Sequence, residues 1–127
     1  MYLATPPLRT AMARYACSTV LATSATEIED RITQLLQSCE LELLLRRGDY
    51  LMARERPGCA PLAKLVTLEV LMDRTAATDS RITVQFICKN EELPLQSRNH
   101  CWQVFERVTA ALKRNDDLPL IELARTE

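Results

Sequence analysis

His100 and Cys101, adjacent in the sequence, are the residues best suited to nucleophilic chemistry. A histidine close to a thiol can act as its general base. Both residues fall in a predicted helix, where neighbouring side chains point about 100° apart and do not face each other. His100 is also the single histidine of the chain, which excludes catalytic and metal sites that need two. The pair therefore predicts a polar residue of a first helical turn beside a core thiol.

The cysteines argue against a metal centre and against a disulfide scaffold. There are five of them, an odd number, and no two have the C-x-x-C spacing of zinc sites. Four fall on predicted apolar faces, where a free thiol behaves as a small hydrophobe. This usage is typical of a reducing compartment such as the cytosol. The five are Cys17, Cys39, Cys59, Cys88 and Cys101.

A predicted loop over residues 89–96 holds two adjacent carboxylates and a short apolar run. Glu91 and Glu92 could serve acid–base chemistry, but neighbouring loop residues usually diverge into water. Leu93, Pro94 and Leu95 favour a partner-binding loop, and the alternative is a loop that packs on the last helix. With two glycines in the chain, there is no phosphate-binding loop or nucleophile elbow. We therefore expect no enzyme, no cofactor and no metal.

A cluster of basic residues forms the strongest candidate site. Five basic residues against two acidic ones, Asp49 and Glu55, give the segment 46–64 a net charge of +3, and Tyr50 lies among them. Arginine binds oxyanions in a bidentate manner, so the cluster could contact phosphate, RNA or an acidic protein. The alternative is a solvated hairpin whose charges discourage edge-to-edge aggregation. The basic residues are Arg46, Arg47, Arg54, Arg56 and Lys64.

Length and charge restrict the possible classes. The chain has 127 residues, which fits one domain, and its formal net charge is −1. Nucleic-acid affinity comes mainly from neutralising phosphates, so the balanced charge makes nucleic acid an unlikely partner. No apolar run is long enough to cross a membrane as a helix.

Hydrophobic periodicity predicts the elements that position these residues. Alternating apolar residues predict strands, and Gly48-Asp49 suits a type II′ hairpin turn. Leu44 does not fit the alternation of its strand. Ser24 and Glu27 match a capping box before a first helix, and Ser97 or Asn99 can cap the last helix. The predicted strands are 14–23, 41–45, 50–55, 64–72 and 82–88. The first predicted helix covers 28–39, and the last begins after Ser97 or Asn99 and ends at 115–117.

These elements predict an α+β fold. The order β-α-β-β-β-β-α gives a single antiparallel sheet of about five strands, and both helices must cover its apolar face. The domain is expected over residues 13–115, between an irregular tail of 1–12 and a C-terminal tail of 116–127. The N-terminal tail lacks acidic residues, so a cleaved organellar transit peptide is an alternative.

Several segments resemble a small uncharacterised family of cyanobacterial proteins. They are Asp49-Tyr50-Leu51-Met52-Ala53-Arg54-Glu55, residues 64–73, Lys89-Asn90-Glu91-Glu92-Leu93-Pro94-Leu95, and Asn99-His100-Cys101. The resemblance carries no catalytic motif and implies no site residues. It implies a cytosolic bacterial protein without a transit peptide. The order of elements is also similar to helix-grip domains, a likeness of architecture that does not give function.

The sequence favours a non-enzymatic protein-interaction module, an accessory or assembly subunit that docks on a larger complex. The resemblance extends this to a photosynthetic membrane complex, with the protein cytoplasmic or peripheral to that membrane. One alternative is a carrier of a small apolar ligand between the sheet and the C-terminal helix, near Trp102 and Phe105. The other is a weak RNA or phosphate binder. The expected partner-binding residues are Arg46, Arg47, Tyr50, Arg54, Arg56, Leu93 and Leu95.

Overall fold

A computed structural model describes residues 12–93 and 99–126, which contain six strands and two helices. The strands are β1 (Ala13–Leu21), β2 (Leu41–Arg47), β3 (Tyr50–Glu55), β4 (Thr67–Asp73), β5 (Ile82–Asn90) and β6 (Leu120–Thr126). The helices are α1 (Ile28–Ser38) and α2 (His100–Arg114), and a short 3₁₀ turn covers Leu62–Lys64. The α+β class and the two helices agree with the sequence prediction.

The strands form one antiparallel sheet in the order β2-β3-β4-β5-β1-β6. Strands β2 to β5 follow one another as a meander, as their short connections predict. Strand β1 lies beside β5, on the side away from β4, and Cys17 pairs there with Phe86. The first strand is therefore an interior strand and not the edge of the sheet.

Strand β6 corrects the predicted count of about five strands and lies within the predicted C-terminal tail. It pairs with β1, with Thr19 opposite Leu123, and a register shift follows at Val20. Its residues are exposed or half-buried without regular alternation, so its sequence has little strand signal. Leu118, fully buried, anchors the chain just before this strand.

Period-two alternation directs one face of the sheet to the helices. In β4 and just before it, Val66, Leu68, Val70 and Met72 are all buried, as predicted. Helix α1 contacts β2, and α2 contacts β1 and β5. The helices bury their apolar stripes against this face. These stripes are Ile28, Ile32, Leu35 and Leu36 in α1, and Val104, Phe105, Val108 and Leu112 in α2.

A β-bulge explains why Leu44 does not fit the alternation. Leu43 pairs with Ala53 and Leu45 with Met52, so Leu44 is the extra residue. The bulge reverses which face each later residue occupies. Leu45, expected beside Leu41 and Leu43, therefore lies on the opposite face. Gly48, at φ 57°, has the positive φ that the predicted hairpin turn requires at its first central position.

The two helices begin differently. Asn99 caps α2 as predicted, with its side-chain oxygen accepting the Trp102 N–H at 2.8 Å. The capping box before α1 is wrong: α1 begins at Ile28, and Glu27 makes no capping hydrogen bond with its side chain. The Ser24 hydroxyl instead pairs with the hydroxyl of Thr26, and the Ser24 carbonyl accepts the N–H of Ile28.

Glu40, two residues after the last residue of α1, has a backbone in the left-handed region, at φ 66°. Glycine has no steric cost in that conformation, whereas other L-residues lose about 1 kcal/mol there. We expect Glu40→Gly to raise the free energy of unfolding by about 0.5–1 kcal/mol in chemical denaturation. The carboxylate contributes little, because its ion pair with Arg56 is exposed.

Glu40→Ala is the matched control, since it removes the same carboxylate but keeps a Cβ. Equal stability of the glycine and alanine variants would show that the backbone conformation is not the limiting factor.

Candidate interaction surface

The face of the sheet turned away from the helices is uncovered within residues 12–93 and 99–126, and we call it the open face. Side chains at every second position of each strand lie on it. From β2 to β6 they are Glu42, Leu45, Arg47, Tyr50, Met52, Arg54, Thr67, Glu69, Leu71, Asp73, Thr83, Gln85, Ile87, Lys89, Arg14, Ala16, Ser18, Val20, Glu122, Ala124 and Thr126.

Apolar side chains occupy the middle of the open face. Leu45 and Leu71 are each 39% exposed, and Met52 and Val20 are half-buried. A shallow depression of about 370 Å³ adjoins Leu71 and is also lined by Thr83 and Gln85. Exposed apolar surface of this kind on a sheet is typical of protein contact sites.

A hydrogen-bonded polar network crosses the same region. The Tyr50 hydroxyl donates to Glu69 at 2.6 Å, and the Lys89 ammonium lies 3.2 Å from the other Glu69 oxygen. The bond to Glu69 raises the pKa of Tyr50 to about 12. Burial opposes ionisation of Glu69, but the bonds from Tyr50 and Lys89 outweigh it and hold its pKa below the usual range. Glu69 is therefore a paired carboxylate.

Charges without an ion-pair partner lie at opposite ends of the open face. Within the described residues, Arg14 and Arg54 pair with no carboxylate, are exposed and lie at one end. Arg47 is also exposed and unpaired, but it lies beside Tyr50 and Leu71, toward the other end. At the other end, Asp73 and Glu122 pair with no basic side chain. The hydroxyl of Thr75 lowers the pKa of Asp73, which keeps this carboxylate ionised.

The predicted basic cluster is divided between surfaces. Arg47, Tyr50 and Arg54 lie together on the open face. Arg46 faces the helices, where its side chain lies 3.3 Å from Glu29. Arg56 lies 3.7 Å from Glu40 and 3.9 Å from Glu42. Arg46 and Arg56 are therefore paired with carboxylates and Arg47 and Arg54 are not, so the predicted cluster does not form one continuous basic patch, which weakens the phosphate or RNA alternative.

Neither leucine predicted as a contact belongs to the described strands of the open face. Leu93 follows β5 and is 54% exposed. Leu95 lies outside the described residues. A second, smaller depression of about 200 Å³ at the corner of the open face is lined by the exposed Leu44 and Leu62, which were not predicted as contacts. The bulge of β2 positions Leu44 there.

Glu55 and His100 form a buried pair that sequence reasoning missed. His100 Nε2 lies 2.7 Å and 2.9 Å from the two Glu55 oxygens, and the Glu55 side chain is fully buried. The N–H of Val66 also donates to Glu55 at 2.9 Å. The sequence pattern that could have revealed this pair is the alternation of β3, which places Glu55 on the same face as Leu51 and Ala53. A carboxylate at such a position requires a buried partner.

The carboxylate of Glu92 binds the backbone of the first turn of α2. Glu92 accepts the backbone N–H groups of His100 and Cys101 at 3.1 Å and 2.8 Å. A negative charge at this position also stabilises the helix dipole. Cys101 is buried, and burial raises the pKa of its thiol to about 12. A buried thiol that stays protonated cannot act as a nucleophile.

The remaining cysteines follow the predicted pattern. Cys17, Cys39, Cys88 and Cys101 are buried, and Cys59 is exposed. Burial raises the pKa of Cys17 to about 11 and raises those of Cys39 and Cys88 as well. Among the described residues, no group of three histidine, cysteine or acidic side chains could hold a metal ion.

The space between α2 and the sheet is filled by core side chains. Phe105, Val108 and Leu112 are buried there, and Phe105 stacks on Tyr15 with ring centroids 5.9 Å apart. Trp102 is only half-buried. Arg125 of β6 covers the Phe105 ring, 5.3 Å from its centroid. This packing argues against the apolar-ligand alternative.

Comparison of the chain with protein-family models, curated proteins and solved structures gave no match. The two described helices are both too short or too polar to cross a membrane.

We expect His100→Ala to lower the free energy of unfolding by about 3 kcal/mol, because it leaves the buried Glu55 carboxylate without its main partner. Adding Glu55→Gln should recover part of this loss, since a glutamine oxygen still accepts the Val66 N–H and buries no charge. Chemical denaturation measures both variants.

Arg107→Ala, at an exposed position of α2, is the control and should change stability by less than about 0.5 kcal/mol. If His100→Ala behaved like Arg107→Ala, the pair would have no structural role.

Proposed function

We propose that this chain is a non-enzymatic protein-interaction module, an accessory or assembly subunit whose docking surface is the open face. In this proposal the protein works in the cytoplasm and docks on a larger complex. The cyanobacterial resemblance implies that this partner is a photosynthetic membrane complex. The observation that carries the proposal is the placement of both helices on one side of the sheet, with Leu45 and Leu71 exposed on the other.

The chemistry of the open face supports a protein partner. Half-exposed aliphatic side chains provide surface to bury, and unpaired arginines beside them provide charge-assisted hydrogen bonds. Arg47 and Arg54 lie on the same face as Leu45 and Met52. A surface of this composition fits a partner that brings its own apolar residues with carboxylates near them.

Two other features support a binding role over catalysis. The reactive groups that the sequence offered are used in structure: His100 pairs with Glu55, and Glu92 caps α2. The buried thiols have raised pKa values, which suits a protein kept in a reducing compartment with its cysteines as core residues. The depressions beside Leu71 and Leu44 are open to solvent.

The proposal is tested by affinity purification from the native source with the full chain and with Arg47→Glu/Arg54→Glu. Reversing two charges on the open face places like charges against a partner that fits arginine, so we expect at least about tenfold lower retention of partner proteins. Quantitative mass spectrometry of the retained proteins measures the change.

Arg107→Glu/Lys113→Glu is the matched control, because it makes the same charge change on exposed positions of α2, on the other side of the sheet. Equal retention by the native chain and by both double variants would remove the open face as the docking surface.

A further inference from the structure

Strand register arranges the open face into rows that run across the sheet. The row at one end contains Glu42, Arg54, Thr67, Lys89 and Arg14; Glu42 lies 3.9 Å from Arg56, and Lys89 is already paired with Glu69. The row at the other end contains Asp73, Thr83, Val20 and Glu122. The first row therefore offers two unpaired cations and the last row two unpaired anions. Thr67 and Asp73 are six residues apart on β4, so the rows are about 20 Å apart.

From this pattern we infer that the open face binds a second copy of this chain, in a face-to-face dimer with twofold symmetry. The inference rests on the proposed function for its premise that the open face is an interaction surface. A twofold axis that lies between two sheets and runs across their strands reverses the order of the rows. It places the cationic row of each copy over the anionic row of the other, twice in one interface.

The strand order makes this complementarity specific. Arg54 on β3 is one strand away from Asp73 on β4, and Arg14 on β1 is one strand away from Glu122 on β6. The same axis keeps the strand order of the two copies aligned, so both cations meet an anion displaced by a single strand. That displacement is about 4.8 Å, within the reach of an arginine side chain. Both pairs are therefore satisfied by one arrangement.

The middle rows suit burial in this arrangement. Leu71 of one copy lies over Glu69 of the other, between Met52 and Ile87 in the adjacent strands. Glu69 already accepts from Tyr50 and Lys89, so covering it leaves no unpaired carboxylate. Directly opposed residues of the middle rows are therefore apolar against polar, as for Met52 over Tyr50, and apolar side chains of the two copies meet only along the diagonals. The usual spacing of packed sheets is about 10 Å.

The size of the face is adequate for a stable dimer. Six strands are roughly 24 Å across, and the four rows with their side chains extend about 25 Å along the strands. The projected area of roughly 600 Å² corresponds to a larger accessible area, near the roughly 800 Å² per partner of ordinary interfaces. In the dimer the second copy covers the face that the proposed function gives to the larger complex, so the two compete for the open face.

A charge-exchange experiment on the purified full chain tests the dimer. One variant, Arg14→Glu/Arg54→Glu, makes both end rows acidic, and the other, Asp73→Lys/Glu122→Lys, makes both basic. Each alone should weaken self-association at least about 100-fold, since like charges then oppose at both ends. An equimolar mixture should restore a species of twice the 14.4 kDa chain mass, because every acidic row again faces a basic row.

Sedimentation velocity over a concentration series measures these masses, and restoration in the mixture also shows that both variants fold. The native chain and the Arg107→Glu/Lys113→Glu control should both be dimers whose affinity falls as salt rises. A native chain that stays monomeric at its highest soluble concentration overturns the inference, as does a dimer that persists in both charge variants. A monomer whose Arg47→Glu/Arg54→Glu form loses partner proteins overturns the dimer but leaves the proposed function standing.

Discussion

Alternation of side chains along the strands is the constraint on which the rest of this structure depends. Because β1, β3, β4 and β5 direct most of their fully buried apolar side chains to one face, both helices pack there. Glu55 follows the same alternation into the core, and His100, brought in by α2, pairs with it. The opposite face receives mostly polar side chains together with Leu45, Leu71, Met52 and Val20, and no described helix or strand covers it. Its composition is thus a consequence of how the core is built.

The same register sorts charges that are close together in the sequence. Arg46 and Arg47 are neighbours, but Arg46 turns to Glu29 on the helix side and Arg47 lies on the open face. Arg74 joins the helix-side network by contacting both Glu29 and Asp49 at 2.9 Å. Arg46 and Arg56 of the basic cluster therefore enter local ion pairs, whereas Arg47 and Arg54 do not. Of the unpaired arginines on the open face, Arg14 and Arg54 lie at one end and Arg47 lies beside the hairpin turn.

Much of the fold could be predicted from the sequence, because its main strands and helices have strong periodicity. Strand β6 could not, since an edge strand with mostly exposed residues and a register shift has almost no pattern. The bulge at Leu44 was visible as one apolar residue out of phase, but its effect on Leu45 required the pairing with Met52. Similarly, Ser24 is of a residue type that favours helix N-caps, but its hydroxyl bonds to the hydroxyl of Thr26 and caps no helix.

The candidate surface was predictable only in part, because it is made by neighbours across strands that are distant in sequence. Arg47, Tyr50 and Arg54 could be predicted as contact residues because they lie close together in the sequence, in one hairpin. Leu71, Arg14 and Glu122 join them only through the strand order. The pair of Glu55 and His100 had a sequence signal, an acidic residue in a buried phase, and identifying its partner needed the position of α2.

The most direct test of the central claim is the accessibility of the open face in the assembled protein. A Leu71→Cys reporter in a Cys59→Ser background would be labelled with a thiol reagent in native extract and after purification and dilution, with Arg107→Cys as the reference site. The native buried thiols stay unreactive because burial raises their pKa values. The account predicts that position 71 is protected in the extract and exposed on dilution, while position 107 reacts equally in both. Equal reactivity at position 71 under both conditions would contradict it.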